Sequence, residues 1–102
     1  MRYGLFAEIS ALPGKRDELA GHLLRAADLL AGNPDCIAYV VCTSADDADA
    51  LSVFEVWTDE AAHDASLEPE DVRALIQQAR PLIAGMSGGT RLTVLGGKGL
   101  SA

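Results

Sequence analysis

The chain has 102 residues, 49% apolar and 23% charged, with a formal net charge of −7. That length suits one folded unit over 1–102 whose own burial is modest, so further burial against a partner is expected. An acidic chain without clustered Lys and Arg is a poor binder of nucleic acid or anionic membrane, and neither is expected as a partner.

Tyr3 to Leu12 (YGLFAEISAL) is rich in apolar and aromatic residues and stops at Pro13-Gly14, which predicts a first strand. Met1-Arg2 leads straight into it, without the apolar core and small-residue cleavage site of a signal peptide. Leu19, Leu23, Ala26 and Leu30 then recur at helical spacing with Ala27 beside them, and Gly32 is the expected stop. His22, in the middle of this helix, reads as a partly exposed boundary residue. Asn33-Pro34 signals a turn.

Cys36 to Thr43 (CIAYVVCT) predicts a second strand. Cys36, Ala38, Val40 and Cys42 share one face; Ile37, Tyr39 and Val41 share the other. Both faces are apolar, which implies burial on both sides. Along one strand the two cysteines stand roughly 20 Å apart and cannot pair within it. Free thiols fit a reducing cytoplasm. The loop Ser44–Asp49 carries Asp46, Asp47 and Asp49 but lacks the glycine and terminal glutamate of an EF-hand, so no calcium site is expected.

Leu51 to Trp57 (LSVFEVW) predicts a third strand, with Leu51, Val53, Glu55 and Trp57 on one face and Ser52, Phe54 and Val56 on the other. Thr58 can cap a short helix over about Asp59 to Ser66, with Asp59 and Glu60 favoured in its first turn. Pro69 suits the start of another helix, whose apolar stripe is Val72, Leu75, Ile76 and Ala79. Arg80-Pro81 ends it. Gly85 and Gly88-Gly89 read as a flexible link, Arg91 to Leu95 as the last strand, and residues from about 96 to 102 as a tail.

The order strand, helix, strand, strand, helices, strand is the ferredoxin-like split βαβ arrangement, an α+β fold with helices on one face of an antiparallel sheet. Nothing left in the chain can cover the other face, so a homodimer packing sheet against sheet, a dimeric α/β barrel, is expected. The glycines of GGKGL follow the last strand but precede no helix, so they form neither a P-loop nor a dinucleotide fingerprint. No HExxH, Cys/His cluster or nucleophile motif occurs, and no metal is expected.

Three stretches together resemble a known family. ALPGKRDEL matches the passage from first strand to first helix in the antibiotic biosynthesis monooxygenase domain, which includes quinol monooxygenases. NPDCIAYVV is similar to its G-C-x-x-Y second strand, with Asp35 where glycine is usual. FEVWTDEAAHDASL resembles its YEVW-x-(D/E)-x-x-A-(H/F)-x-x-H-L signature, with Phe54 where tyrosine is frequent and Ser66 in place of the second histidine. The haem-degrading branch uses an Asn, a Trp and a His where this chain has Ala7-Glu8, Ser66 and Ile76-Gln77, so haem degradation is not expected.

The resemblance implies oxygen chemistry with neither metal nor flavin, on a small quinol, polyphenol or polyketide-like aromatic. Such a reaction needs a base, a dry aromatic pocket and donors for the developing anion. His63 is the base by type, since histidine ordinarily titrates near neutrality. Trp57, Tyr39, Phe54 and Phe6 are expected to line the pocket and Arg73 to supply positive charge. Each of these side chains also has a plain packing or surface role open to it. Glu55, a carboxylate in an apolar strand, must face solvent or be paired, and Arg91 across the dimer twofold is one candidate. The other reading of the whole chain is a non-catalytic dimeric module that binds a small ligand or only dimerises. An enzyme would show an enclosed pocket reached by His63; a bare module would fill that space with Leu and Ala.

Overall fold

The computed structural model describes residues 2–87 and 89–100. The elements are β1 (Arg2–Ala11), α1 (Arg16–Leu30), β2 (Cys36–Thr43), β3 (Ala50–Trp57), α2 (Glu60–Ala65), α3 (Glu70–Ala79), β4 (Ile83–Met86) and β5 (Thr90–Val94), with a 3-10 turn at Arg80–Leu82. The strands form one antiparallel sheet in the order β2-β3-β1-β4, with β5 also on β1. This is the ferredoxin-like fold expected from the element order. Met1, Gly88 of the expected link, and Ser101-Ala102 of the expected tail lie outside the described residues.

The expected flexible link is instead partly strand. β4 pairs with the C-terminal end of β1 (Ile9 opposite Met86) and β5 with its N-terminal end (Phe6 opposite Thr90). The physical reason is that the second edge of β1 carries unpaired backbone groups, and two short strands laid end to end satisfy them. From Ile9 to Phe6 is three steps and from Met86 to Thr90 is four, so the edge lane carries one extra residue, as a bulge does.

Directly opposed residues share a face of a sheet. Tyr3, Leu5, Ala7 and Ile9 of β1 stand opposite Trp57, Glu55, Val53 and Leu51 of β3, and Tyr39 and Val41 of β2 stand opposite Glu55 and Val53. The helices cover this face. Leu19 of α1, Ala79 of α3 and Leu82 pack with Ile9, Ala11, Leu51 and Val53 as the core. Full burial of a leucine such as Leu19 contributes about 1.5–3 kcal/mol.

The other face carries Phe6 opposite Phe54, Val40 also opposite Phe54, and Leu92 opposite Gly4. Phe6, Val40 and Leu92 are exposed. In the single chain Val40 and Cys42 of β2 are exposed on this face. Gly4 is closely packed on this face: a Cβ there would stand 2.8 Å from Val94 Cγ2 and 3.3 Å from Leu92 Cβ. Among the described residues no helix is long and apolar enough to cross a membrane.

Candidate active site

α2 is only Glu60–Ala65, too short to persist without its attachments. Its N-terminus is capped by Asp59, whose Oδ1 accepts from Ala62 N at 2.8 Å. Thr58, the expected cap, instead donates its hydroxyl to Asp35 Oδ1 at 3.2 Å, tying the end of β3 to the turn before β2. At the far end, Ser66 Oγ donates to His63 O. These bonds set His63 over the Trp57 end of β3.

The His63 ring stands edge-on to Trp57, centroids 5.7 Å apart at 79°, and tilted against Tyr3 at 5.6 Å. Its Nδ1 lies 3.0 Å from Asp64 Oδ1 and its Nε2 lies 3.9 Å from Glu55 Oε1. With Nδ1–H donating to Asp64, Nε2 carries the lone pair, the form a general base needs.

Within the chain Glu55 is not paired with Arg91. Arg91 binds Glu60 of α2 in the same chain at 3.0 Å, because β5 brings it beside that helix. The partner of Glu55 is Trp57, whose indole Nε1–H donates to Oε1 at 3.0 Å. Burial raises the Glu55 pKa above the usual carboxylate value, while the Trp57 hydrogen bond and the His63 charge pull it back. Tyr39, opposite Glu55 on β2, has its phenol pushed far above its ordinary value by burial first and by Glu55 second.

Between the sheet and the helices lies a cavity of about 130 Å³. Its walls are mostly apolar, from Leu23, Ala26 and Leu30 of α1 and Val72, Leu75, Ile76 and Ala79 of α3. Its polar lining is His22, Tyr39, Glu55, His63 and Ser66. Both histidines of the chain thus face one cavity. Among the described residues no three His, Cys, Asp or Glu side chains cluster as a metal site.

The structure brings together His63, Tyr39 and Trp57 of the expected site, with Trp57 fully buried against His63 rather than lining the cavity. It does not bring in Phe54 or Phe6. Strand alternation turns both to the open face, opposite each other and away from the helices. Arg73 is exposed and does not line the cavity. His22, Tyr3 and the Glu55–Trp57 bond were not anticipated. For His22 the signal was present: His22, Ala26 and Leu30 fall four apart, on one side of α1.

The fold and cavity define a ferredoxin-like α+β protein with a mostly apolar chamber and a histidine–carboxylate pair in its wall. The chain belongs to the antibiotic biosynthesis monooxygenase family, whose profile matches residues 2–92. It is 36% identical to a provisionally named antibiotic biosynthesis monooxygenase from Chloroflexus aurantiacus J-10-fl, with a TM-score of 0.90 over 99% of this chain and 100% of that one. SnoaB, a cofactor-independent oxygenase from Streptomyces nogalater, shares the fold at a TM-score of 0.81 and 16% identity, over 96% of this chain and 97% of that one. A further provisionally named family member, from Caulobacter crescentus CB15, aligns at a TM-score of 0.85 and 21% identity over 93% and 91% of the two chains. No curated protein matches the chain at a significant level.

Proposed function

We propose that the protein is a cofactor-independent monooxygenase, an oxidoreductase acting on a small quinol or polyphenol with O2. The observation that carries this reading is the cavity itself: the space between helices and sheet is open rather than filled by Leu and Ala, and His63 and Glu55 stand in its wall.

The substrate ring occupies the apolar part of the cavity, and one hydroxyl meets His63 Nε2. His63 takes its proton. The Asp64 and Glu55 carboxylates stabilise the imidazolium so formed. The phenolate passes one electron to O2, and the resulting radical pair joins at the adjacent ring carbon to give a peroxide. Its O–O bond breaks as the C–H hydrogen leaves with the outer oxygen as hydroxide. His63 returns the proton, giving water and a hydroxyquinone. One oxygen atom of O2 enters the ring and the other leaves as water, so the quinol supplies all four electrons.

The open sheet face, with Phe6, Phe54, Val40 and Leu92, supports a homodimer packed through it. The free thiols of Cys36 and Cys42 support a cytoplasmic location.

The test is oxygen uptake by metal-stripped protein against hydroquinones and polycyclic phenols, with His63→Ala beside the wild type. A loss of about 10²–10⁴-fold in the variant is the expected size for a general base. Uptake unchanged in the variant would remove His63 as the base. No uptake across the panel, with ligand binding retained, would favour a non-catalytic binding module.

A further inference from the structure

We propose that His22 is a second ligand-recognition residue of this cavity: its Nδ1 accepts a hydrogen bond from a ligand hydroxyl, so the cavity selects an arene with two oxygens over one with a single oxygen. The inference deepens the oxygenase reading by naming the second polar group of the ligand, but it requires binding and not turnover.

The argument starts from the wall that α1 contributes. His22, Ala26 and Leu30 line the cavity from one side of the helix, with Leu23 beside them. His22 Nδ1 is fully buried and has no hydrogen-bond partner among the described residues. Buried polar atoms in native proteins are almost always paired, so one left unpaired in a cavity wall marks where a ligand or water binds. The other polar groups of the lining are differently placed. Ser66 Oγ is engaged by His63 O, and Glu55 Oε1 by the Trp57 indole. His63 has Asp64 on Nδ1 and keeps Nε2 toward Glu55. His22 Nδ1 is a fully buried polar atom of a cavity-lining residue with no partner among the described residues; the Tyr39 phenol is the remaining polar group of the lining.

Size sets the ligand. A cavity of about 130 Å³ is close to the roughly 150 Å³ that accepts one benzene ring. A single ring in that space contacts more than one wall at once. His22 comes from α1 and His63 from α2. A dihydroxyarene has one hydroxyl for each histidine, whereas a monohydroxyarene leaves one of them unpaired. Sites built to pair a hydroxyl reject the analogue that lacks it, because the protein's own polar atom is then stranded.

The experiment is an anaerobic NMR titration of the ¹⁵N-labelled protein with 1,4-dihydroxybenzene and with phenol. Amide shifts give each Kd, and the ring-nitrogen spectrum reports the chain's two histidines directly. Wild type is expected to bind the dihydroxy compound about fivefold more tightly, the size of one net hydrogen bond, and to move the His22 Nδ1 signal as it binds. His22→Leu is expected to bind the two compounds equally. His22→Asn, which keeps an acceptor near the Nδ1 position, is expected to restore part of the preference. An unmoved His22 Nδ1 signal in wild type, a preference retained in His22→Leu, or no binding of either compound would each overturn the proposal. Binding and preference as expected without oxygen uptake would sink the oxygenase reading and leave this one standing.

Discussion

The indole N–H of Trp57 donates to the carboxylate of Glu55 two residues earlier on the same strand, at 3.0 Å. Alternation puts both side chains on the helix-covered face, and Trp57 is fully buried there. The bond accounts for a carboxylate inside an apolar strand: the chain supplies its own donor and needs no arginine. It also fixes the oxygen that faces His63.

Glu55 makes stability depend on pH. Burial raises its folded pKa above the unfolded value of about 4.3. Between the two values the folded state holds more protons than the unfolded state, so stability falls as pH rises through that window. Glu55→Gln keeps an acceptor for Trp57 and removes the titration. Urea unfolding at pH values from about 4 to about 8 is expected to show the variant gaining on wild type as pH rises. Parallel curves for the two proteins would refute the assignment.

Asp59 holds the helix that carries His63. Asp59→Ala removes the acceptor for Ala62 N, and a lost N-cap costs about 1 kcal/mol. The cost falls on a helix of 6 residues, so oxygen uptake is expected to drop along with stability. Asp59→Ser, which can still cap, is expected to recover both. Denaturant unfolding and uptake measured on the two variants check this.

Much of the fold was legible because it rests on periods. The alternation in LSVFEVW already set Glu55 and Trp57 on one face and Phe54 on the other. Grouping Phe54 and Phe6 with Trp57 failed because residue type was weighed over face, and because register decides which residues meet across strands: Phe6 meets Phe54. The four-residue spacing of His22, Ala26 and Leu30 was also readable, but a histidine on an apolar stripe carries no mark of a cavity until the opposing helix is in place. The Arg91–Glu60 pair was not readable. It exists because β5 ends up beside α2, a meeting of segments about thirty residues apart.

Gly4 is a steric requirement rather than a conformational one. Its Cβ would press within 2.8 Å of Val94 Cγ2, and valine is stiff at χ1. Gly4→Ala is expected to destabilise the protein by about 1–3 kcal/mol, against the usual small gain from replacing a strand glycine. Thermal unfolding reads the difference, and an unchanged or higher midpoint would contradict the packing described.

Phe54 tests the open face. A lysine there would sit among Phe6 and Val40 at the centre of the proposed interface. Light scattering is expected to give twice 10.7 kDa for wild type and 10.7 kDa for Phe54→Lys. A monomeric wild type would end the dimer proposal.

The extra residue between β4 and β5 works as a switch of parity along one edge. Upstream of it, Met86 answers Ile9 on the helix side; downstream, Arg91 answers Leu5 on that side while Leu92 and Val94 turn outward. Without the bulge, β5 would slide one residue along β1 to put Gly89 opposite Phe6, and the two sets would exchange. Arg91 would leave Glu60 for the open face, and Leu92 and Val94 would swing toward α2. A single position in the edge lane therefore decides both what the helices see and what a neighbouring molecule would meet.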